Sequence, residues 1–410
     1  MTGNTLTAVE RHALEQSPLG DLYVPREKMR TIVVDNFPSL GKLAAMRFIE
    51  WVQHNPGGVI SLPTGKTPEH FIRWVTHVMS AWGTPEVVRE LEANGIDPGV
   101  KPDMASLHFV QIDEFYPIDP GQGNSFFSYV NKFYIEGFGL SPERALLMDC
   151  NEIGLLPGQT LSSVWADGEV DLSLRNRAAQ TALESTQQQA LMRIDQWCQQ
   201  YEQRIRDLGG IGFFLGGIGP DGHVGFNVRG ADHFSTTRLT GVNYETQAAA
   251  AGDLGGIEVA RKRLVITIGL GTIAYNRESC ALVIAAGEAK AGIVADAVES
   301  DPDVSYPATA LHSLPGARFY ITLGAAKLLE RRQLDLLARQ EQVDDETVEK
   351  IVVDLAVDCN KQIDALTEAD FADSEFAAAL LERRPESVGE LTQSVRNRLI
   401  SKIERGMDTM

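Results

Sequence analysis

The run Ile-Gly-Phe-Phe-Leu at 211–215, followed by Gly-Gly-Ile-Gly-Pro-Asp-Gly-His-Val-Gly-Phe-Asn at 216–227, constrains this chain more than any other stretch. A short, unbroken apolar segment reads as a buried parallel strand. The glycines after it let the backbone turn sharply and approach a ligand closely. Asp221 and His223 then stand two residues apart, where ligands bind in open α/β sheets, beyond a strand's carboxyl end. A carboxylate and an imidazole so placed can orient each other for proton transfer. The same residues also fit a tight turn with a solvated Asp, and the stretch alone leaves both readings open.

The rest of the chain repeats the rhythm of that segment. Short apolar runs at 59–62, 107–112, 264–268, 280–285 and 319–323 alternate with amphipathic stretches at 40–54, from Pro68, at 85–94, at 181–208 and at 291–299. That alternation predicts one three-layer α/β/α domain with a mainly parallel, Rossmann-like sheet over residues 35–330. Residues 1–34 are polar and read as an N-terminal arm. Residues 331–410, for example 346–366, are charged and helical in pattern, an appended helical extension.

Charge narrows the partners. With 37 basic and 56 acidic residues the net charge is −19, which disfavours nucleic acid and offers no basic footprint for an anionic membrane. A small anion is still compatible, because clustered amides hold phosphate locally. Cys150, Cys198, Cys280 and Cys359 have neither metal-ligand spacing nor a dense disulfide pattern, as in a reducing cytosol. No cluster of His, Cys and carboxylates has metal spacing, so no metal is expected. There is no secretory leader and no apolar run of membrane-spanning length (about 18 residues). We therefore expect a cytoplasmic homo-oligomer acting on a small molecule.

Three further strand ends carry candidate chemistry. At 62–68, Leu-Pro-Thr-Gly-Lys-Thr-Pro, Thr67 is a plausible N-cap with Pro68 at the first helical position. Free amides there, with Thr64, Gly65 and Lys66, suit phosphate. A nucleotide P-loop is excluded, since that motif needs glycine where Ile60 stands. At 111–116 the adjacent carboxylates Asp113 and Glu114 point to opposite sides, so at most one of them need face a pocket; a carboxylate shielded there by aromatics would have a raised pKa and could serve as a base. Lys290, near a helix start, opposes the helix dipole, and a bound phosphate would explain its charge. Each also fits a blander role as cap or surface charge.

Taken together and in this order, LPTGKTP at 62–68, QIDEF at 111–115, GGIGPDGHVGFN at 216–227, Thr237-Arg238 and LVITIGLGTI at 264–273 resemble the glucosamine-6-phosphate deaminase/isomerase family, which shares its fold with 6-phosphogluconolactonases. The resemblance spans about residues 35–325, and Phe226-Asn227 is similar to the deaminase branch. It implies conversion of an amino-sugar 6-phosphate to a ketose 6-phosphate plus ammonia, with no cofactor required. Asp113 matches the base that shuttles a proton between C2 and C1, and His223, supported by Asp221, the group that opens the sugar ring. Thr64, Gly65, Lys66, Thr67, Gly217 and Lys290 fall at phosphate and substrate contacts. The chain departs from the pattern at Val228, where a Glu partners the His, and at Gly252, where an Arg reaches the phosphate. These departures keep a lactonase-like hydrolase and a non-catalytic sugar-phosphate binder open beside the deaminase reading.

Overall fold

A computed structural model describes residues 6–19, 27–254, 256–339 and 342–407. The chain divides into two units, the first ending at Leu328 and the second starting at Leu329.

In the first unit, ten strands are β1 (Thr31–Val34), β2 (Val59–Ser61), β3 (His108–Val110), β4 (Asp113–Tyr116), β5 (Ala145–Leu146), β6 (Phe213–Gly217), β7 (Arg238–Thr240), β8 (Leu264–Thr267), β9 (Cys280–Ala285) and β10 (Arg318–Thr322). Seven of them form a parallel sheet in the order β1-β10-β9-β6-β2-β3-β5. Both faces are covered, as a parallel sheet requires. Ile60, Phe213, Leu215, Leu282 and Ile284 pack into one core with the helices Phe37–His54 and Glu69–Ser80. Their strand neighbours Phe214, Val283, Phe319 and Ile321 point the other way and are as deeply buried. The helix Phe37–His54 begins where Asn36 accepts the Ser39 amide and buries Leu40, Leu43, Ala44, Phe48 and Val52 along one stripe. Each large side chain removed from water there stabilises the packing by about 1.5–3 kcal/mol.

The fold differs from the sequence expectation in four places. Thr31–Val34, placed in an arm, is the edge strand β1, paired with β10 in parallel register; its β-branched Thr-Ile-Val-Val run is an ordinary strand signal. The helix Ala8–Glu15 belongs to the same unit: Glu10 is buried, accepts from Arg318 at 3.1 Å and from the Tyr320 hydroxyl at 3.0 Å, and Glu50 accepts the Ala8 amide at 3.1 Å. Residues 1–5 and 20–26 of the expected arm lie outside the described residues. The run at 264–268 is not part of the parallel sheet; β8 joins β4 and β7 in a separate antiparallel three-stranded sheet. Finally, Thr67 does not cap the following helix. Pro68 occupies the cap position without a side-chain hydrogen bond, and the helix starts at Glu69.

The second unit is helical: Glu330–Arg339, Asp345–Asp358, Glu368–Asp373, Glu375–Leu381 and Val388–Met407. It has its own core of Val348, Val352, Leu355, Phe371, Leu380, Leu391 and Val395. The helical pattern at 346–366 resolves into Asp345–Asp358 and a short turn, Ile363–Ala365.

Candidate active site

Four loops meet at the carboxyl ends of β2, β3, β6 and β9. They enclose a cleft of about 260 Å³ lined by Thr64, Thr67, Asp113, Gly217, His223 and Lys290, together with Pro63, Ile112, Phe126 and residues of the glycine-rich turn. The size sits at the lower end for ligand sites, about 300–1,000 Å³, and fits one small metabolite rather than a dinucleotide.

The turn after β6 is built around His223. Gly219 makes room for it, since a Cβ at that position would fall 2.1 Å from the imidazole. The ring stacks on Phe226 with centroids 5.8 Å apart. Its Nδ1 lies 2.5 Å from Asp221 Oδ1 and 3.3 Å from Thr246 Oγ1. The other Asp221 oxygen accepts from the Arg229 amide at 3.1 Å and the Asn243 side chain at 2.6 Å. Burial pushes the Asp221 carboxyl up, but the hydrogen bond and charge of His223, with the Arg229 and Asn243 donors, outweigh it and hold the carboxyl below the usual carboxylate range. An ionised Asp221 keeps the proton on Nδ1, so Nε2 is the nitrogen left for exchange. Asp221 therefore acts on the cleft through His223 and does not line it.

Asp113 and Glu114 do point to opposite sides. Asp113 lines the cleft at 7% exposure. Burial, and then the neighbouring Glu114 charge, raise its pKa well above the ordinary value. Glu114 faces away and holds the helix Phe126–Val130. It accepts from the amides of Phe115, Phe126 and Phe127 and from the Ser125 hydroxyl at 2.7–3.0 Å. Burial pushes it up to about 7 even against those four donors. What this carboxylate fixes is Phe126, whose ring stacks on Phe226 and walls the cleft.

The loop after β2 contributes Thr64 and Thr67 to the cleft, and a Cβ on Gly217 would meet the Thr67 methyl at 2.9 Å, so glycine there admits it. The Tyr129 hydroxyl donates to the Gly65 carbonyl at 2.9 Å and the Tyr134 hydroxyl to that of Pro63. Gly65 and Lys66 themselves are exposed and outside the lining. Lys290 reaches in from the turn before the helix Ala291–Glu299, donating to the Ile218 carbonyl at 2.9 Å. Its pKa is lowered by burial, partly offset by Asp221.

Val228 is half-buried beside this turn, and Gly252 is exposed on the helix Tyr244–Leu254. Of the resemblance's other residues, Thr237 bonds the buried Glu202, and Arg238 holds Asn227 Oδ1 at 2.9 Å. Sequence reasoning missed Asn243 and Thr246, since nothing local marks either residue. It passed over Phe126 as a member of the site, although aromatics after QIDEF were visible. Among the described residues no group of three or more His, Cys, Asp and Glu is placed to hold a metal ion, and no helix is long and apolar enough to cross a membrane.

Comparison with known proteins places the chain beside glucosamine-6-phosphate deaminases. No family model matches the chain. A glucosamine-6-phosphate deaminase from Bacillus velezensis is 26% identical over 298 residues, covering 73% of this chain and 99% of the relative. One from Clostridium perfringens is 27% identical over 305 residues, covering 74% and 100%. Among solved structures, a monomeric glucosamine-6-phosphate deaminase superimposes with a TM-score of 0.53 at 24% identity, over 73% of this chain and all of that one. The shared part leaves about a quarter of the chain unmatched.

Proposed function

We infer that this chain, a divergent member of the glucosamine-6-phosphate deaminase/isomerase family, converts an amino-sugar 6-phosphate to a ketose 6-phosphate and ammonia. The observation that carries the reading is the meeting of a buried carboxyl, Asp113, and a carboxylate-tethered imidazole, His223, in one cleft with Lys290.

The chemistry follows from the groups present. His223 Nε2 takes the proton of the C1 hydroxyl and passes it to the ring oxygen as the C1–O ring bond breaks, so the sugar opens to the aldehyde. Asp113 removes the proton at C2; the electron pair forms a C1=C2 enolamine while the C1 oxygen gains a proton. Asp113 then returns its proton to C1, leaving an imine at C2, which water converts to the ketone with release of ammonia. No net oxidation occurs. A carboxyl of raised pKa is a stronger base once ionised, and its apolar walls keep water from quenching it. Lys290, Thr64, Thr67 and loop amides hold the phosphate. Its place is the cytoplasm, a reading supported by four cysteines of which none is paired.

The test is an ammonia-release assay across amino-sugar phosphates, with 6-phosphogluconolactone hydrolysis run in parallel. The reading expects ammonia and ketose phosphate in equal amounts from glucosamine 6-phosphate. Lactone hydrolysis with no ammonia from any amino sugar would reassign the site to a hydrolase.

A further inference from the structure

Two side chains from outside the glycine-rich turn reach the Asp221–His223 pair, and both come from the start of the helix Tyr244–Leu254. Asn243 stands immediately before that helix and uses its amide twice. Its Oδ1 accepts the Thr246 amide at 3.0 Å, the bond of an N-cap, while its Nδ2 donates to Asp221 Oδ2 at 2.6 Å. Thr246, one turn in and buried, sets its hydroxyl 3.3 Å from His223 Nδ1. Among the described residues, the other side-chain bond at this end is local, from Gln247 to the Val242 carbonyl at 3.2 Å. Tyr244 is 63% exposed and Glu245 is on the surface, so apolar packing does not fix the first turn.

Resting on the deaminase reading above, we propose that Asn243 is a positioning residue that ties the seating of the helix Tyr244–Leu254 to the orientation of His223. With the helix seated, Asp221 has one oxygen engaged by Asn243 and Arg229, which leaves the other aimed at Nδ1. The imidazole is then fixed in one tautomer and one plane. Losing the Asn243 donor leaves the Arg229 amide alone on that oxygen, so Asp221 can swing and both tautomer and plane loosen. Thr246 accepts the weaker share of the Nδ1 proton and limits the same rotation. The seating of the helix start and the orientation of the acid–base pair are thus coupled through Asn243.

Asn243→Ser separates this role from helix capping, because Ser caps about as well as Asn but is too short to reach Asp221 as well. Asn243→Ser, Asn243→Ala and Thr246→Val are compared with the unaltered protein in two measurements. The first is kcat and KM for ammonia release from glucosamine 6-phosphate. The second is the ¹⁵N spectrum of histidine-labelled protein, with the His223 signals assigned by His223→Gln. Both Asn243 variants are expected to lose on the order of tenfold to a hundredfold in kcat, the cost of a misplaced catalytic group, with KM within about threefold. In the spectrum, His223 should pass from a fixed Nδ1–H tautomer to an exchanging mixture. Thr246→Val should show a smaller change in the same direction. Full kcat and a fixed tautomer in Asn243→Ser, with losses in Asn243→Ala alone, would reduce Asn243 to a helix cap and overturn the proposal. An unaltered protein that releases no ammonia would instead sink the deaminase reading, and the tautomer measurement would still decide the role of Asn243.

Discussion

The loops that leave the neighbouring strands β2 and β6 face the same cleft and are built on different principles. The β6 loop fixes one ring through a chain of side-chain bonds, Asn243 to Asp221 to His223, and clears space for it with Gly219. The β2 loop carries no such chain. It offers Thr64, Thr67 and backbone, braced from behind by tyrosine hydroxyls on the Gly65 and Pro63 carbonyls. Proton transfer depends on angle and tautomer, so its groups need direct tethering. A phosphate presents several equivalent oxygens, and a cluster of amides and one cation hold it with far looser geometry. One loop is therefore sensitive to single atoms and the other is not.

That contrast orders the expected losses. Asp221→Asn removes the charge that holds Nδ1–H and should lower kcat on the order of 10²-fold or more while sugar-phosphate affinity stays near its starting value. A comparable loss of affinity would mean the two loops share their work. Gly219→Ala puts a methyl into the space of the imidazole. Displacing the ring by about 1 Å should cost up to 10²-fold in kcat, read in the same assay. In the phosphate half, Lys290→Ala should weaken binding by about 1.5–3 kcal/mol, the scale of a charge-assisted contact, with kcat at saturation much less changed; titration with inorganic phosphate at low salt measures it.

The acid limb of kcat/KM sharpens the comparison from the side of Asp113. The base must be ionised to act, and burial raises its pKa well above the ordinary value. Activity should therefore fall about tenfold per pH unit on descending through a value clearly above the ordinary carboxylate range of about 4. A limb at ordinary carboxylate pH would move the base to another group. The smallest effect belongs to Lys66, exposed at the tip of the β2 loop and outside the cleft lining. Lys66→Ala should leave phosphate affinity unchanged within about twofold, as for a solvated surface charge. A tenfold loss would instead show Lys66 supplying the charge absent at Gly252.

Much of this site was legible because its groups sit at the ends of short apolar runs, where a parallel sheet places its ligands. Asp221, His223, Asp113, Thr64, Thr67, Gly217 and Lys290 were all named from such positions. The opposite sides of Asp113 and Glu114 followed from strand geometry alone. What escaped depended on pairing at a distance. Asp113–Tyr116 is too polar to announce a strand, and only its antiparallel partner β8 makes it one. Conversely, the run at 264–268 carries nothing to say which sheet it joins. Asn243 and Thr246 lie in a polar and small-residue segment, and their meaning comes wholly from partners 22 and 23 residues earlier. At Thr67-Pro68 local capping rules gave way to the loop, which turns Thr67 into the cleft and leaves the helix to begin at Glu69.

The buried pair between Glu10 and Arg318 has a consequence for how the chain is made. Its partners are 308 residues apart. During synthesis at about 5–20 residues per second, Glu10 emerges roughly 15–60 s before Arg318 exists. Over that interval the charge of Arg47 acts on the carboxylate, but the buried donors from Arg318 and Tyr320 are missing. The helix Ala8–Glu15, first to be translated among the described elements, thus gains its full set of partners only when the last strand of the sheet arrives.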